Sequence, residues 1–308
     1  MILWGKTKDG KRRWRCKNCQ RSFVWKKEKS GHKKWMLDWI SGMTVEQISA
    51  KYRESVSTVK REINGLLIDP PPIKISPNED AHLLVDGTYF KRENCLTVYF
   101  DHDLKHFQLC RYSRSENKDE IEKDFRTLKR GGVDILSVTA DGKNAVKSAL
   151  KKVFPNAKFQ RCLVHIQRYA ETYITQRPKT VAGIELKELA GAINQIDDEL
   201  SRMTFVGRFD DWKRRHHNFL KERTTKEDGH GWWYTHRNLR RVIYHIDHAL
   251  PDMFNYLDNK KIPKDTNGLE GRFTDLKHKF RTHKGLKKTK RENYLKWYIF
   301  TKNLNKKN

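Results

Sequence analysis

Three acidic residues stand apart in a basic chain, and their types and positions suit the binding of a divalent metal ion. Asp86 follows the apolar run at residues 83–85, and Asp141 follows a second apolar run, ILSVTA. Glu270 lies near the start of a helical pattern, TNGLEGRF. Carboxylates brought together on neighbouring strands repel each other unless a cation lies between them, and Mg²⁺ prefers oxygen ligands. The three acids therefore predict a site for Mg²⁺, or for Mn²⁺ in its place.

Two such ions, about 4 Å apart, can activate an attacking oxygen and stabilise the leaving oxygen when a phosphodiester is cleaved. In this hypothesis Asp86 binds both ions, Asp141 binds one and Glu270 binds the other. Each acid also has a simpler explanation. An Asp followed by Gly is a common turn, and Asn267 and Glu270 have the spacing of a capping box, in which Glu270 would only close the start of its helix.

The composition points to a polyanionic partner. The 308 residues include 65 Lys and Arg against 38 Asp and Glu, a formal net charge of +27, and such an excess is typical of proteins that bind nucleic acid. A membrane surface is the weaker alternative, because no run approaches the roughly 18 apolar residues of a spanning helix and no signal peptide precedes the first domain. The five cysteines are odd in number and mostly scattered, which favours a reducing compartment. We therefore expect a cytoplasmic protein, associated with the nucleoid if the source is bacterial.

Residues 1–24 predict part of a zinc ribbon. Cys16 and Cys19 form a C-x-x-C on an expected turn, and two thiolates at this spacing can hold half of a tetrahedral zinc site. No second C-x-x-C precedes them, and His32 is the nearest spare ligand. The alternative is an incomplete ribbon with two free thiols.

Residues 25–68 predict a helix-turn-helix domain. Thr44 and Gln47 form a capping box at the start of the second of three short helices, and a short turn leads to a basic third helix. The expected apolar side of this third helix consists of Val56, Val59, Ile63 and Leu66. The side chains expected to face a DNA groove are Ser57, Thr58, Lys60 and Arg61. A small helical bundle that packs on the next domain is the alternative.

A proline-rich linker at residues 69–80 precedes an α/β domain. From residue 81, three segments rich in β-branched and aromatic residues predict a meander of three strands. A helix, a fourth strand, a second helix and a short strand through KFQRCLVH follow in the part that ends at residue 175. This order is typical of a ribonuclease-H-like sheet, in which one acid lies on the first strand and the next lies at the end of the fourth. Asp86 and Asp141 occupy those places.

Residues 176–262 interrupt the α/β pattern and predict an all-helical insertion. Its first helix is expected to bury a stripe that consists of Leu186, Leu189, Ile193, Ile196 and Leu200. Trp232 and Trp233, with Arg237 and Arg240 close by, are candidates for stacking on exposed DNA bases. The alternative places one tryptophan in the core and the other as a cap on the helical bundle.

The last part of the catalytic domain, residues 263–308, begins with the basic helix that carries Glu270 and is expected to end at Gly285. Cations on this helix would position a DNA backbone beside the acids, although a solvated charged face is the alternative. They are Arg272, Lys277, Lys279, Arg281, His283 and Lys284. A final amphipathic helix is predicted through Tyr294, Trp297 and Phe300.

Several segments together resemble the Mutator-like family of DDE transposases, which includes many bacterial insertion-sequence enzymes. They are VDGTYF with Asp86, TADGKNAV with Asp141, RCLVH with Cys162 and His165, and TNGLEGRFTDLKHKFRTHKGL with Asn267 and Glu270. The resemblance covers nearly the whole chain, and its last motif is long and specific. In that family a C-x-x-H follows the second acid and a helical insertion precedes the third, and both features occur here.

The resemblance implies a metal-dependent enzyme that cleaves DNA at the ends of a mobile element and joins the freed 3′-hydroxyl to target DNA. It also implies a dimer or larger assembly on paired ends. Cys162, His165 and Asn267 are expected near the acids without an assigned role, and for His165 a hydrogen-bonded core position is the alternative. Relatives often carry a full zinc ribbon with two C-x-x-C pairs, whereas this chain has only one pair.

Two other functions stay open at this point. The chain could be a domesticated or inactive transposase that only binds DNA, although it retains all three acids. A cellular ribonuclease of the same fold is disfavoured, because such an enzyme would not need a helix-turn-helix or a large helical insertion.

Overall fold

The computed structural model describes residues 1–8, 10, 12–24, 31–90, 94–115, 117–227, 229–283 and 285–304, without the side chains of residues 31, 32 and 288. The chain divides into two compact units, Met1–Asp69 and Pro70–Asn308. The division falls at a run of three prolines, which cannot continue the preceding helix.

The amino-terminal unit begins with a small antiparallel sheet. Its strands are β1 (Ile2–Lys6), β2 (Arg12–Arg15) and β3 (Ser22–Val24), in that order. Cys16 and Cys19 lie on the turn between β2 and β3. The turn is closed by the Cys16 backbone, whose amide donates to the Arg21 carbonyl and whose carbonyl accepts from the Gln20 amide. The predicted turn at the C-x-x-C is therefore present.

Helices α1 (Gly31–Ile40), α2 (Val45–Tyr52) and α3 (Val56–Ile68) follow in this unit. The capping box predicted at Thr44 is present and fixes the start of α2. The buried stripe of α3 differs from the predicted one, because it consists of Val59, Ile63 and Leu67. Val56, in the first turn, is instead 43% exposed.

The carboxyl-terminal unit is organised on a mixed sheet. Its described strands are β4 (Asn78–Phe90), β5 (Asn94–Asp101), β6 (His106–Ser113), β7 (Val133–Ala140) and β8 (Lys158–Arg161), arranged in the order β6–β5–β4–β7–β8. The first three strands form an antiparallel meander, and β7 and β8 run parallel to β4. Parallel neighbours need a crossover connection, which the helices α4 (Lys118–Arg130) and α5 (Asn144–Val153) provide.

One face of this sheet is apolar and lies against α4 and α5. Strand residues alternate in direction, and every second residue from Ala81 to Val85 of β4 joins this core. A register irregularity shifts the alternation in β7, which contributes Val133, Ile135, Val138 and Ala140. The buried members include Leu83, Val85, Ile121, Phe125, Leu128, Val138, Ala140 and Leu150.

The opposite face is polar where it meets residues 253–266. The Gln160 side chain donates to the Met253 carbonyl at 2.9 Å and accepts from the Tyr256 amide at 3.2 Å. Thr139 Oγ1 donates to the Pro263 carbonyl at 2.7 Å. These bonds align the segment that leads into the helix with Glu270.

A helical segment leaves the sheet after β8 and returns to it before Glu270. Its helices are α6 (Leu163–Tyr173), α7 (Val181–Ala192), α8 (Glu199–Arg215), α9 (His217–Lys221), α10 (Arg237–Asp247) and α11 (Asn255–Asp258), with short 3₁₀ turns at Ile193–Gln195 and Leu250–Asp252. They share a second core, which includes Ile166, Leu186, Phe209, Trp212, Val242 and Ile246.

The helical segment differs from the prediction in two ways. It is not all-helical, because β9 (Arg223–Thr225) and β10 (Trp232–Tyr234) pair as an antiparallel hairpin. The predicted first helix is also broken, since Asp198 caps a new helix with a capping box. Leu200 therefore falls outside the buried stripe and is 74% exposed.

The chain ends with α12 (Asn267–Arg281) and α13 (Lys288–Leu304). Helix α12 stops before the predicted end at Gly285. Helix α13 buries Tyr294 and Trp297 as predicted, and its Asn303 side chain bonds to the backbone of Phe107 on β6. None of the helices in the described ranges is both long enough and apolar enough to cross a membrane.

Candidate active site

Asp86 and Asp141 occupy matching positions on two adjacent parallel strands. The register of β4 and β7 pairs Leu84 with Thr139. Two residues further along come Asp86, which still lies within β4, and Asp141, the first residue after β7. Side chains two positions apart point to the same side of a sheet, so both carboxylates extend from the polar face. Strand β4 continues to Phe90, so Asp86 lies within the strand and not at its end.

A tight turn holds Asp141. Its Oδ1 accepts from the Lys143 backbone amide at 3.1 Å, and its Oδ2 lies 3.0 Å from Lys143 Nζ. Gly142 has a φ of +92°, in the left-handed region that favours glycine. A Cβ at Gly142 would lie 2.3 Å from Nε of Arg161, so the guanidinium group packs directly against the backbone of this turn.

Arg161 connects the Asp141 turn to the helical segment. Its Nη2 lies 3.1 Å from both ring nitrogens of His245 on α10. That ring stacks on Tyr169 of α6, with the ring centroids 3.8 Å apart. Burial and then the charge of Arg161 lower the pKa of His245 to about 4, so this imidazole is neutral at pH 7 and can accept a hydrogen bond. The Nε of Arg161 is buried and has no hydrogen-bond partner within the described residues.

Reasoning from the sequence missed both Arg161 and His245. They are 84 positions apart, and a contact at that separation leaves no local pattern. The available signal is indirect, because Arg161 directly precedes Cys162 in RCLVH and Gly142 directly follows Asp141.

Glu270 lies in the first turn of α12, which packs against β4. Its Oε1 forms an ion pair with Arg168 Nη1 and lies 4.0 Å from His165 Nε2. The capping-box alternative is wrong, because Thr266 is the N-cap and no side chain caps the helix. Asn267 is the first helical residue and is exposed. Glu270 is thus held by residues of α6 rather than by its own helix start.

Cys162 is buried between the sheet and the start of α12. Its sulfur accepts from the Thr266 amide at 3.4 Å. Strand β8 ends at Arg161, and the Leu163 amide bonds to the Lys264 carbonyl outside the sheet. Cys162 then becomes the N-cap of α6. His165 therefore lies on the first turn of a helix, whereas the sequence predicted a strand.

The surroundings of His165 favour its protonated form. Interaction with Cys162 raises its pKa to about 9 against the opposing effect of burial, and the charges of Asp86 and Asp141 add to the increase. Its side chain is 29% exposed, and its buried Nδ1 has no hydrogen-bond partner within the part of the chain that is described. The alternative of a hydrogen-bonded core histidine therefore does not describe this residue.

The three acids supply the oxygen ligands that Mg²⁺ prefers, but their side chains are not gathered at one point. Among the described residues, no group of three or more His, Cys, Asp or Glu side chains could hold a metal ion. Asp86 and Asp141 are matched across β4 and β7, whereas Glu270 is turned towards Arg168. Asp86 and Asp141 offer carboxylate oxygens that suit a divalent ion, whereas the Glu270 carboxylate is paired with Arg168.

The predicted DNA-binding residues of α3 lie at its start. Ser57, Lys60 and Arg61 are exposed, and Thr58 is half-buried. Ser57 and Thr58 also take part in the helix cap, since both hydroxyl groups bond to Ser55 Oγ. Lys60 and Arg61 are therefore the two cations that this end of α3 presents.

The two amino-terminal thiols remain candidates for zinc. Cys16 is half-buried and Cys19 is exposed. The backbone amides of Cys19 and Asn18 lower the pKa of Cys16, which favours the thiolate form that a metal binds. The side chain of His32, the third ligand considered, lies outside the described residues.

Trp232 and Trp233 lie next to each other on β10 and are 47% and 41% exposed. The alternative that one of them is a core residue is therefore wrong. Adjacent strand residues project to opposite sides, so the hairpin presents one indole on each side. The Arg223 guanidinium lies 3.8 Å from the centre of the Trp232 ring and supports it by a cation–π contact.

The two arginines near this hairpin differ in their surroundings. Arg237 is exposed, whereas Arg240 is half-buried. The Arg240 guanidinium lies 3.7 Å from the centre of the Tyr234 ring and donates to the Leu220 carbonyl. Arg240 therefore holds the hairpin against α9 and α10.

The cations of α12 also divide by environment. Arg272 packs on the sheet, with its guanidinium 4.5 Å from the centre of the Phe100 ring. Lys277 is half-buried, and Arg281 is exposed. Lys279 pairs with Asp275, His283 is buried, and Lys284 lies outside the described residues.

Part of the chain is similar to a known protein family. Residues 110–244 match the model of the transposase family named Mutator. The matched range contains Asp141, Cys162, His165 and the tryptophan hairpin, whereas Asp86 and Glu270 lie outside it. No curated protein matches the chain.

A solved structure with some similarity is the cryo-EM structure of the simian T-cell lymphotropic virus intasome in complex with PP2A regulatory subunit B56 gamma. One of its chains is 11% identical, and the alignment covers 70% of this chain and 68% of that chain. At a TM-score of 0.23 the superposition carries no inference about this protein. The family match supports a function in transposition, and with it DNA binding, and it confirms that the chain resembles the Mutator family of transposases.

Proposed function

We propose that this chain is a DDE transposase, which cleaves DNA at the ends of a mobile element and joins the freed ends to target DNA. The observation that carries the proposal is the matched placement of Asp86 and Asp141 on β4 and β7, with Glu270 on a helix packed against β4. A meander followed by two parallel strands, in the order β6–β5–β4–β7–β8, supports a ribonuclease-H-like catalytic domain with residues 176–262 as its insertion.

Asp86, Asp141 and Glu270 are the proposed ligands of Mg²⁺ or Mn²⁺. Divalent ions held there would supply charge stabilisation for the attacking and leaving oxygens of a phosphodiester. The chain itself supplies cations for the phosphate, because His165 and Arg168 both lie beside Glu270. If Glu270 were to bind a divalent ion, a phosphate oxygen of the DNA would take its place as partner of these two cations.

The proposed reaction consists of two displacements at phosphorus. Water attacks the phosphodiester at the element end, the bond to the 3′-oxygen breaks, and a 3′-hydroxyl is left. That hydroxyl then attacks a phosphodiester of the target, and the displaced 3′-oxygen takes up a proton. Both steps need in-line geometry and charge stabilisation, so positioning by the protein accounts for much of the rate.

The amino-terminal unit is the proposed reader of the element ends. Helix α3, entered through a short turn from α2, would place Ser57, Thr58, Lys60 and Arg61 in a DNA groove as in a helix-turn-helix. Cys16 and Cys19 are proposed to bind Zn²⁺ with ligands still to be identified. The lowered pKa of Cys16 supports a metal role over a pair of inert thiols.

The tryptophan hairpin and α12 are the proposed DNA contacts of the larger unit. Trp232 and Trp233 would stack on bases that become exposed when the element end opens, and each stacked base is worth about 1–3 kcal/mol. Their exposure, 47% and 41%, supports this role. Arg237 and Arg281 are exposed cations suited to phosphate contacts, with Lys277 beside them. Arg240 and Arg272 would act indirectly, by fixing the hairpin and the helix.

We further propose that the protein works as a dimer or larger assembly on paired ends. Its site of action would be the cytoplasm, near the nucleoid if the source is bacterial. The net charge of +27 supports a location on DNA.

Strand cleavage on a labelled duplex that carries the sequences flanking the coding region tests the proposal. The native chain and Asp141→Ala are compared with Mg²⁺, Mn²⁺ or EDTA. We expect metal-dependent cleavage at the end of the element, and a loss of at least about a thousandfold in the variant because a proposed metal ligand is removed.

Asp134→Ala is the matched control, since Asp134 is an exposed acid on the same strand, β7. This variant should cleave as the native chain does. DNA binding without cleavage in both the native chain and Asp141→Ala would contradict the proposal and would favour a DNA-binding protein that has lost catalysis.

A further inference from the structure

A basic cleft between α4 and α5 has no part in the proposed reaction. It has a volume of about 520 Å³. Its lining consists of Lys123, Arg126, Lys129, Arg130, Lys152 and Val153. Five of these six side chains are cations, so the cleft concentrates positive charge well beyond the average of the chain.

The cleft lies far from the acids. Helix α4 ends at Arg130, just before β7 begins at Val133, whereas Asp141 follows the other end of β7. Eight residues of strand span about 26 Å. A ligand in the cleft therefore cannot be the phosphodiester that reacts at Asp141.

The helix dipole accounts for only some of the cations that line the cleft. Cations in the last turn of a helix are stabilised by the helix dipole, and Lys129, Arg130 and Lys152 belong to the last turns of α4 and α5. Lys123 and Arg126 lie in earlier turns of α4, where the dipole gives no such stabilisation. Arg126 is stabilised instead by its ion pair with Glu122 one turn earlier, whereas Lys123 has neither reason in its own helix.

Neighbouring groups hold the cations in place. Glu122 accepts from Arg126 at 2.8 Å and from Lys152 at 3.0 Å, so it connects α4 to α5 across the cleft. Lys129 Nζ donates to the Val153 carbonyl. Within the described residues Glu122 is the only acid in these contacts. The five cations of the lining therefore repel one another unless an anion binds between them.

The spacing of the cations along α4 suits a polyanion. Lys123, Arg126 and Arg130 follow each other at three and four residues and lie along one side of the helix. They span about 10 Å at 1.5 Å per residue. Duplex DNA carries about six phosphate charges over that length, counting both strands.

We propose that the α4–α5 cleft binds the phosphate backbone of a duplex DNA segment other than the one being cut. The lining offers ammonium and guanidinium groups with one aliphatic side chain, and such cations bind phosphate oxygens. Contacts to phosphates carry no sequence information, so binding there is expected to be independent of sequence. This inference rests on the proposed function, because a second duplex is needed only by an enzyme that joins two DNA segments.

The salt dependence of DNA binding tests whether the cleft binds DNA phosphates. The double variant Lys123→Gln, Arg130→Gln removes two cleft charges without touching the Glu122 bonds. Arg177→Gln, Lys179→Gln is the matched control, because it removes two exposed charges from the loop between α6 and α7. Affinity for a labelled duplex of unrelated sequence is measured by fluorescence anisotropy at several salt concentrations.

We expect the slope of log affinity against log salt to become shallower by about 1–2 in the cleft variant, since each lost phosphate contact contributes about 0.9. The control should keep the native slope. Equal changes in both variants, or no change in the cleft variant, would overturn the proposal.

Lysine acetylation followed by mass spectrometry gives a local measurement on the unmodified chain. Saturation with the unrelated duplex should protect Lys123 and Lys152 at least severalfold more than Lys179. Protection spread equally over the three lysines, or stronger protection by an RNA duplex of the same length, would contradict the assignment to DNA.

These experiments distinguish a wrong proposal for the cleft from a wrong proposal for the function of the protein. A cleft variant that cleaves and binds DNA as the native chain does removes the cleft proposal and leaves the transposase proposal intact. A native chain that binds no duplex at all removes both.

Discussion

The two faces of the five-stranded sheet are built from alternate residues of the same strands, yet they are held in different ways. Leu83, Val85, Val138 and Ala140 belong to the apolar face, which packs on α4 and α5. Thr139 and Gln160 belong to the polar face, which bonds over β7 and β8 to the backbone of residues 253–266. Over β4 and β5 the same face buries Leu84, Val98 and Phe100. Asp86 and Asp141 extend from the second face.

The two faces should contribute differently, one mainly to the stability of the fold and the other mainly to the positioning of the site. Apolar contacts have no direction, so the first face contributes mainly to the free energy of unfolding. Hydrogen bonds fix a partner in distance and angle, so the second face sets where the returning chain, and with it the start of α12, lies against the sheet. Substitutions on the two faces should therefore differ in kind as well as in size.

The largest expected effect belongs to the apolar face. Phe125 is fully buried and lies edge-to-face against Tyr99 and Phe154. We expect Phe125→Ala to lower the free energy of unfolding by about 3–5 kcal/mol, with unchanged cleavage per folded molecule. Denaturant titration and cleavage assays normalised to the folded fraction measure the two quantities.

Leu136→Ala is the control for this prediction, because Leu136 is on the same sheet but 40% exposed. It should cost less than about 1 kcal/mol. A large loss of cleavage per folded Phe125→Ala molecule would mean that the apolar face also positions the site.

On the polar face, Gln160→Leu keeps the volume and removes the bonds to Met253 and Tyr256. Two buried backbone groups lose their partner, and we expect a loss of about 2–3 kcal/mol in the free energy of unfolding. Cleavage per folded molecule should fall as well, because residues 253–266 are released. Gln176→Leu, at an exposed position, should change neither quantity.

A smaller effect on stability is expected at the turn that carries Asp141. Gly142→Ala places a Cβ against Arg161 in a left-handed conformation, which costs about 1–2 kcal/mol. Displacement of Asp141 should reduce the cleavage rate by about 10- to 100-fold. Gly207→Ala, in a helix with open space around the new Cβ, should stabilise the protein by about 0.5–1 kcal/mol.

The last effect concerns pH and the contact at the β8 edge. His245 faces the cation Arg161, the neighbouring His248 and the Tyr169 ring, and its pKa is lowered to about 4. The unfolded chain binds the proton near pH 6.5 and the folded chain only near pH 4. The stabilisation is therefore complete above pH 6.5 and is lost as the pH falls towards 4.

His245→Gln should flatten the melting temperature between pH 7 and pH 4.5 relative to the native chain. His217→Gln, at an exposed position, should leave the native pH dependence unchanged. The same slope in His245→Gln and in the native chain would show that this ring does not remain neutral on folding.

Helices and strands whose apolar residues recur at regular spacing were predictable from the sequence. The meander, α4, α5 and the buried residues of α10 follow from alternation or from helical spacing of apolar residues. The Asp86 and Asp141 positions followed from the order of these elements. Local patterns of this kind require only neighbours in sequence, and the structure agrees with them.

Features that depend on distant partners were not predictable. The hairpin β9–β10 has strands of three residues, which are too short to show alternation. His165 was placed on a strand as the last residue of KFQRCLVH, whereas the Leu163 amide bonds to the Lys264 carbonyl and a helix begins there. Glu270 had a local partner in the expected capping box, and the ion pair with Arg168 on another helix replaced it.

The contact between Cys162 and Thr266 has a consequence for biosynthesis. These residues are 104 positions apart, and everything between them is synthesised before they can meet. At about 5–20 residues per second, a ribosome needs roughly 5–20 s to cover that distance. During this time the nascent chain carries both aspartates but not Glu270. The contacts that align the start of α12 therefore form only after the helical segment has been synthesised.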